Sequence, residues 1–315
     1  MMTFENFSEE IRSRVEAQLK KEFEVSIFHM LKNNSIVQPQ LVVLKSGNQI
    51  GPAICLQDQY AVYMEYPDND WLDQIVENII GLYKEQATET GESAELAMKL
   101  LDYSFVREKI LYKLVNTEDN QELLSQIPHI PYLDLSIVFY ISGAKTEFGL
   151  LTVLINNEHM ERWNVTADVL YQAAMKNMPE IMPARFCSMA EILFGPNEVS
   201  KENAEDEWRK FLFQNGQHNR FSTVYVLTNK VGIFGAAAIL YPGILKKCSE
   251  TFKTDMFILP SSTHEVLLIP YKEEIKAEEL NCLVKSVNNE DVPREAWLSD
   301  HAYIYRREDD QVAAV

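Results

Sequence analysis

The stretch Leu133–Asn156, LDLSIVFYISGAKTEFGLLTVLIN, decides the fold class. It holds two apolar runs, Leu133 to Ile141 and Phe148 to Asn156, parted by Ser142-Gly143-Ala144-Lys145. β-Branched and aromatic residues suit a pleated, buried surface, and a short interruption containing glycine between two such runs reads as an antiparallel hairpin. Antiparallel neighbours need no crossover helix, so this reading points away from a strictly alternating strand-helix chain.

The flanking sequence repeats the pattern. Toward the amino terminus, Phe4, Phe7, Ile11, Val15 and Leu19 recur at helical spacing. Short apolar runs at Val25–Leu31, Leu41–Lys45 and Pro52–Gln57 then read as strands, and Asp68-Asn69-Asp70 announces a helix over Trp71–Gln86. A loop is expected over Ala87–Glu95. Toward the carboxy terminus, Thr166–Met178 reads as a helix closed by Pro179 and Pro183. Beyond it come strands at Thr223–Thr228, Met256–Leu259, Glu265–Ile269 and Ala302–Tyr305, with helices over Pro242–Phe252 and Ala277–Val287. The fold class is therefore α+β, with mixed, largely antiparallel sheets and flanking helices. Composition shifts most clearly over Gly195–Asn219, a long mixed-charge stretch. The expected organisation is an N-terminal α+β region over 1–195, a linker or long loop over 196–219, and a C-terminal α+β region over 220–315, with one continuous domain as the alternative.

The 315 residues are 46% hydrophobic, enough for a well-buried core. With 47 acidic against 29 basic residues the formal charge is -18, which disfavours broad contact with nucleic acid and with anionic lipid. Cys55, Cys187, Cys248 and Cys282 are too scattered for a CxxC pair or a dense disulfide framework and read as reduced, mostly buried thiols. Met1 to Glu10 lacks the basic start of a secretory signal, and the weakly polar run Val231–Leu245 is broken by glycines and Pro242. The expectation is a cytoplasmic protein without a membrane segment.

In Pro260-Ser261-Ser262-Thr263-His264-Glu265, between two apolar runs, Ser262 and His264 share a face of an extended chain while Glu265 points the other way. With a carboxylate from Asp300 or Asp134 they would supply a nucleophile, a base and an orienting group. The competing reading is that these hydroxyls tie a turn to the backbone. A zinc-protease helix is excluded because Leu268 stands where the second histidine would fall. No metal or cofactor is expected, and no glycine-rich phosphate loop is present. Asn157, Glu158 and His159 follow an apolar strand, where binding groups and helix caps both occur. His129, in Pro128-His129-Ile130-Pro131, enters a strand through a constrained turn.

Several of these segments carry a resemblance. The run Leu133–Tyr140 preceded by proline and histidine, Asn157-Glu158-His159-Met160 with Trp163, YVLTN at Tyr225–Asn229, LPSSTHEV at Leu259–Val266 and LSDHAYIY at Leu298–Tyr305 occur in order across most of the chain. Together they resemble an uncharacterised bacterial family, common in Firmicutes and catalogued as domain of unknown function 5688. The resemblance implies a Clostridia-like host and no mechanism. The residues leave three functions open: a non-catalytic intracellular binding protein with an acidic face for a protein partner, a hydrolase built on Ser262 or Ser261 with His264, and an acidic mimic of nucleic acid.

Overall fold

The computed structural model describes residues 2–19, 23–46, 53–65, 67–88, 98–146, 149–194, 224–260 and 262–315. The chain forms two compact units, Met1–Phe105 and Val106–Val315. The 196–219 stretch lies outside the described residues, as does most of Ala87–Glu95.

In the first unit, α1 (Phe4–Gln18) opens on Thr3, whose hydroxyl accepts the Asn6 N–H at 3.3 Å. Its Phe7, Ile11 and Val15 stripe is fully buried. Strands β1 (Phe23–Leu31), β2 (Val37–Lys45) and β3 (Ala53–Cys55) form an antiparallel sheet in that order. Val25 faces Val43 and Ile27 faces Leu41, so the register points one apolar face inward. The expected strand over Pro52–Gln57 stops at Cys55, and α2 (Leu56–Glu65) follows at once. Leu56 and Tyr63 are buried and Tyr60 packs against the same core, so helical spacing wins over local β preference. Helix α3 (Asn69–Thr88) is started by Asp68, which accepts the Trp71 N–H, and contributes Leu72, Val76 and Ile79 to the core.

The second unit contains two antiparallel sheets. In the four-stranded one, β6 (Leu135–Thr146) pairs with β4 (Ile110–Asn116), β5 (His129–Tyr132) and β7 (Gly149–Leu154). Leu135 to Ile141 are all buried, as a strand covered on both faces requires. The hairpin is present, but Ser142–Lys145 is a bulge inside β6 and pairing continues to Thr146 opposite Gly149. Gly143 permits it, since a Cβ there would lie 3.1 Å from the Leu151 carbonyl oxygen.

The six-stranded sheet comprises β8 (Ala184–Ser188), β9 (Tyr225–Asn229), β10 (Met256–Leu259), β11 (Val266–Pro270), β12 (Tyr303–Arg306) and β13 (Gln311–Ala314), in the order β13-β12-β10-β11-β9-β8. Its partners on either side of residues 196–219 are β8 and β9, which pair directly. Four longer helices complete the unit: α4 (Asn157–Trp163), α5 (Ala167–Ile181), α6 (Ile244–Phe252) and α7 (Ala277–Asp291). Helix α5 runs past Pro179: the proline forfeits one N–H bond, yet the Met182 N–H still closes on Met178. From the same helix Asn177 donates its side-chain amide to the carbonyls of Arg107 and Ile110, pinning the start of β4. Leu280 and Val284 of α7 are buried with Phe257, Leu259, Ile269 and Ile304 of the sheet. The architecture is α+β, with antiparallel sheets flanked by helices.

Candidate functional site

Between β10 and β11 the chain turns through Ser262, Thr263 and His264, and each of them is drawn into backbone bonding. Ser262 is buried, and its Oγ accepts the His264 N–H at 3.0 Å. The Thr263 N–H donates to the Ala296 carbonyl and its carbonyl accepts the Ala236 N–H. The His264 carbonyl accepts the Thr228 hydroxyl at 2.7 Å, while its ring Nδ1 accepts the Phe234 N–H at 3.3 Å. An accepting Nδ1 puts the proton of the neutral ring on Nε2. That bond holds Phe234 in the left-handed region, at φ 54°, with its ring stacked on the imidazole and its other contacts made by Tyr140 and the Lys113 ammonium. The next residue, Gly235, is wedged so tightly that a Cβ would lie 2.0 Å from Thr228 Oγ1.

Ser262 and His264 are thus brought together through the backbone, and the serine hydroxyl addresses the histidine N–H instead of its ring. Ser261 lies outside the described residues. Glu265 is half-buried, immediately before β11. Asp300 is engaged with Lys285 Nζ at 3.3 Å and His301 Nε2 at 3.0 Å.

Asp134, in the two-residue turn between β5 and β6, accepts from Ser299 Oγ at 2.7 Å and from the Tyr303 hydroxyl. Ser299 Oγ in turn accepts the His301 N–H, Asn288 donates to the Ser299 carbonyl, and Asn281 accepts the Ala302 N–H. Burial, reinforced by the Asp134 carboxylate, pushes the Tyr303 phenol far above its ordinary range, so it stays a donor. The cluster fastens the segment before β12 to the β5–β6 turn.

The second group of candidates also serves local structure. His159 and Asn156 form a reciprocal capping box at the start of α4: Asn156 Oδ1 accepts the His159 N–H, and His159 Nδ1 accepts the Asn156 N–H. The imidazole stacks on Trp163 at 5.2 Å, and burial holds its pKa below the ordinary imidazole value despite the opposing pull of Glu158. Asn157 ties α4 to the Ser125 and Gln126 carbonyls, and Glu158 is exposed in the first helical turn. His129 is exposed on β5, with Nδ1 donating to the Ile127 carbonyl. Among the described residues no group of three or more His, Cys, Asp or Glu is placed to hold a metal ion, all four cysteines are free, and no helix is long and apolar enough to cross a membrane.

Open space occurs elsewhere in this unit. A cleft of about 310 Å³ is lined by Tyr132 at the end of β5, Tyr241 after the 3-10 segment Gly235–Leu240, Tyr305 on β12 and Asp310 in the β12–β13 turn. Ile239, Leu245 and Val312 add apolar surface. The Tyr241 hydroxyl donates to the Met182 carbonyl at 2.8 Å, and the Tyr305 hydroxyl donates to Asp310 Oδ1. Burial raises the phenols: Tyr132 to about 12, Tyr305 to about 12 with help from Asp310, and Tyr241 beyond that. All three are neutral at physiological pH. Among the described residues the lining has one carboxylate and no imidazole, thiol or primary hydroxyl.

None of Tyr132, Tyr241 and Asp310 stands out by spacing. Tyr305 lies within LSDHAYIY, but only the pairing of β12 with β13 brings it to Asp310. The structure therefore defines an α+β protein with a tyrosine-lined cleft and with Ser262 and His264 engaged in backbone bonding at a turn. The chain matches the model of the Family of unknown function (DUF5688) over residues 4–307 and belongs to that family. No curated protein and no solved structure matches it.

Proposed function

We propose that the protein is a non-catalytic binding protein of the bacterial cytoplasm, acidic overall, that takes a small molecule in the tyrosine-lined cleft. The observation that carries this reading is the lining itself: neutral phenols, apolar side chains, the Gln311 amide and one carboxylate around a cavity at the lower end of the roughly 300–1,000 Å³ range of small-molecule sites. The engagement of Ser262 Oγ and His264 Nδ1 with backbone N–H groups supports binding over hydrolysis. Four free cysteines support a reducing compartment, and the family resemblance supports a bacterial host.

The test is a ligand-observed NMR screen of the full chain with cationic, neutral and anionic small molecules. Each binder is then repeated on Val312→Trp, which fills the cleft, and on Ser262→Ala and His264→Ala. Binding that disappears in Val312→Trp and survives in the other two supports the proposal. Ester or amide turnover that is lost in both Ser262→Ala and His264→Ala, or a screen without any binder that Val312→Trp displaces, overturns it.

A further inference from the structure

We infer that the cleft accepts an organic ammonium cation; the inference rests on the binding reading above and names the class of its ligand. Three aromatic residues and a carboxylate contribute to the lining, and neither lysine nor arginine is among its residues. The faces of aromatic rings carry negative charge density, and an ammonium within about 6 Å of a ring centroid is attracted to it. The carboxylate adds a full negative charge, and hydrogen bonds to an ionised acceptor are the stronger ones.

The hydrogen bonding inside the cleft points the same way. Tyr241 spends its proton on the Met182 carbonyl, and Tyr305 spends its own on Asp310 Oδ1. Two of the three phenol protons are therefore unavailable to an anionic or carbonyl-rich ligand, which is left the Tyr132 hydroxyl and the Gln311 amide as neutral donors. Asp310 retains Oδ2 for an N–H donor, or for the through-space attraction of a quaternary nitrogen. Burial keeps the phenols from ionising, so the charge of the lining comes from Asp310 alone. Val312, backed by the buried Ile239 and Leu245, supplies apolar surface for the methyl or methylene groups such cations carry. The formal charge of -18 also raises the local concentration of cations around the whole chain.

The experiment is isothermal titration calorimetry of the full chain with choline, with butylammonium, and with 3,3-dimethyl-1-butanol, the uncharged isostere of choline. The expected result is saturable binding of at least one cation with Kd below about 1 mM, and binding of the isostere at least about tenfold weaker. Asp310→Asn should weaken the cation about tenfold or more. This variant is suited to fold, because asparagine tolerates the left-handed backbone that Asp310 adopts at φ 52°; an unchanged circular dichroism spectrum checks it. Equal binding of cation and isostere, or a cation affinity indifferent to Asp310→Asn or to Val312→Trp, overturns the inference. If neither cation binds while neutral or anionic compounds from the NMR screen do so in a manner blocked by Val312→Trp, the class fails and the cleft stands. If no compound at all is displaced by Val312→Trp, both fail together.

Discussion

The Ser262–His264 turn and the tyrosine-lined cleft lie in the same unit, yet they use polar side chains in opposite ways. At the turn, a serine hydroxyl, a threonine hydroxyl and an imidazole nitrogen each meet a backbone group, and the 3-10 segment beginning at Gly235 is locked against them. At the cleft, tyrosines from separate elements border space that the described residues leave open. Buried backbone N–H and C=O groups must find partners wherever regular pairing lapses, and short polar side chains are the nearest supply. Residues that look reactive in sequence can therefore be consumed in making a turn. Larger side chains with an apolar body and a polar tip can wall a cavity instead.

The sharpest way to break this comparison is Gly235→Ala. The new methyl would sit 2.0 Å from Thr228 Oγ1 and 2.4 Å from the His264 carbonyl oxygen, so the loss in stability should be about 3 kcal/mol or more by urea denaturation. A loss below about 1 kcal/mol would show that the joint yields easily and that the turn is not the rigid partner in the comparison.

A second, smaller effect is expected at Asp134→Ala. It removes the acceptor of Ser299 Oγ and leaves the buried Tyr303 hydroxyl without its partner, which should cost about 2 kcal/mol. Asp134→Asn keeps one acceptor oxygen and should cost less. If the two variants unfold at the same urea concentration, the carboxylate is not what fastens this segment.

The smallest effect concerns pH at the α4 cap. Burial lowers the folded-state pKa of His159 below its unfolded value, and the Asn156 N–H needs an unprotonated Nδ1. The stabilising contribution is therefore complete above the unfolded value, about 6.5, and is lost as pH falls through it toward the folded value. His159→Gln, a residue suited to the same capping position, should match the parent within about 0.5 kcal/mol at neutral pH and become relatively more stable below pH 6. Parallel melting curves of the two proteins from pH 7.5 to 5 would remove the titration from the account.

The central hairpin shows what could be read directly. The unbroken run Ile137–Ile141 of β-branched and aromatic residues leaves β6 no surface state, whereas the Ser142–Lys145 interruption, which reads as a turn, is a bulge that only the pairing with β7 defines. β4 is not legible in the sequence, although Ile110–Asn116 is largely buried, because Lys113 and Asn116 interrupt a short run whose identity depends on pairing with β6. Pro52–Gln57 reads as a strand through to its end because Leu56 belongs both to that run and to the helical stripe that follows it.

By itself the sequence determined an acidic, core-forming α+β chain with antiparallel pairing between neighbouring strands, because periodicity and charge are local properties that pass unchanged into the fold. It also marked Ser262, His264 and His159 as chemically able. Their employment was decided by tertiary structure, since Phe234, Thr228 and Ala296 reach the turn only after β9, β10 and β11 are in register. The cleft was decided there too. Tyr132, Tyr241, Tyr305 and Asp310 come from separate elements, and a site made by the meeting of distant segments leaves no spacing in the chain for a reader to find.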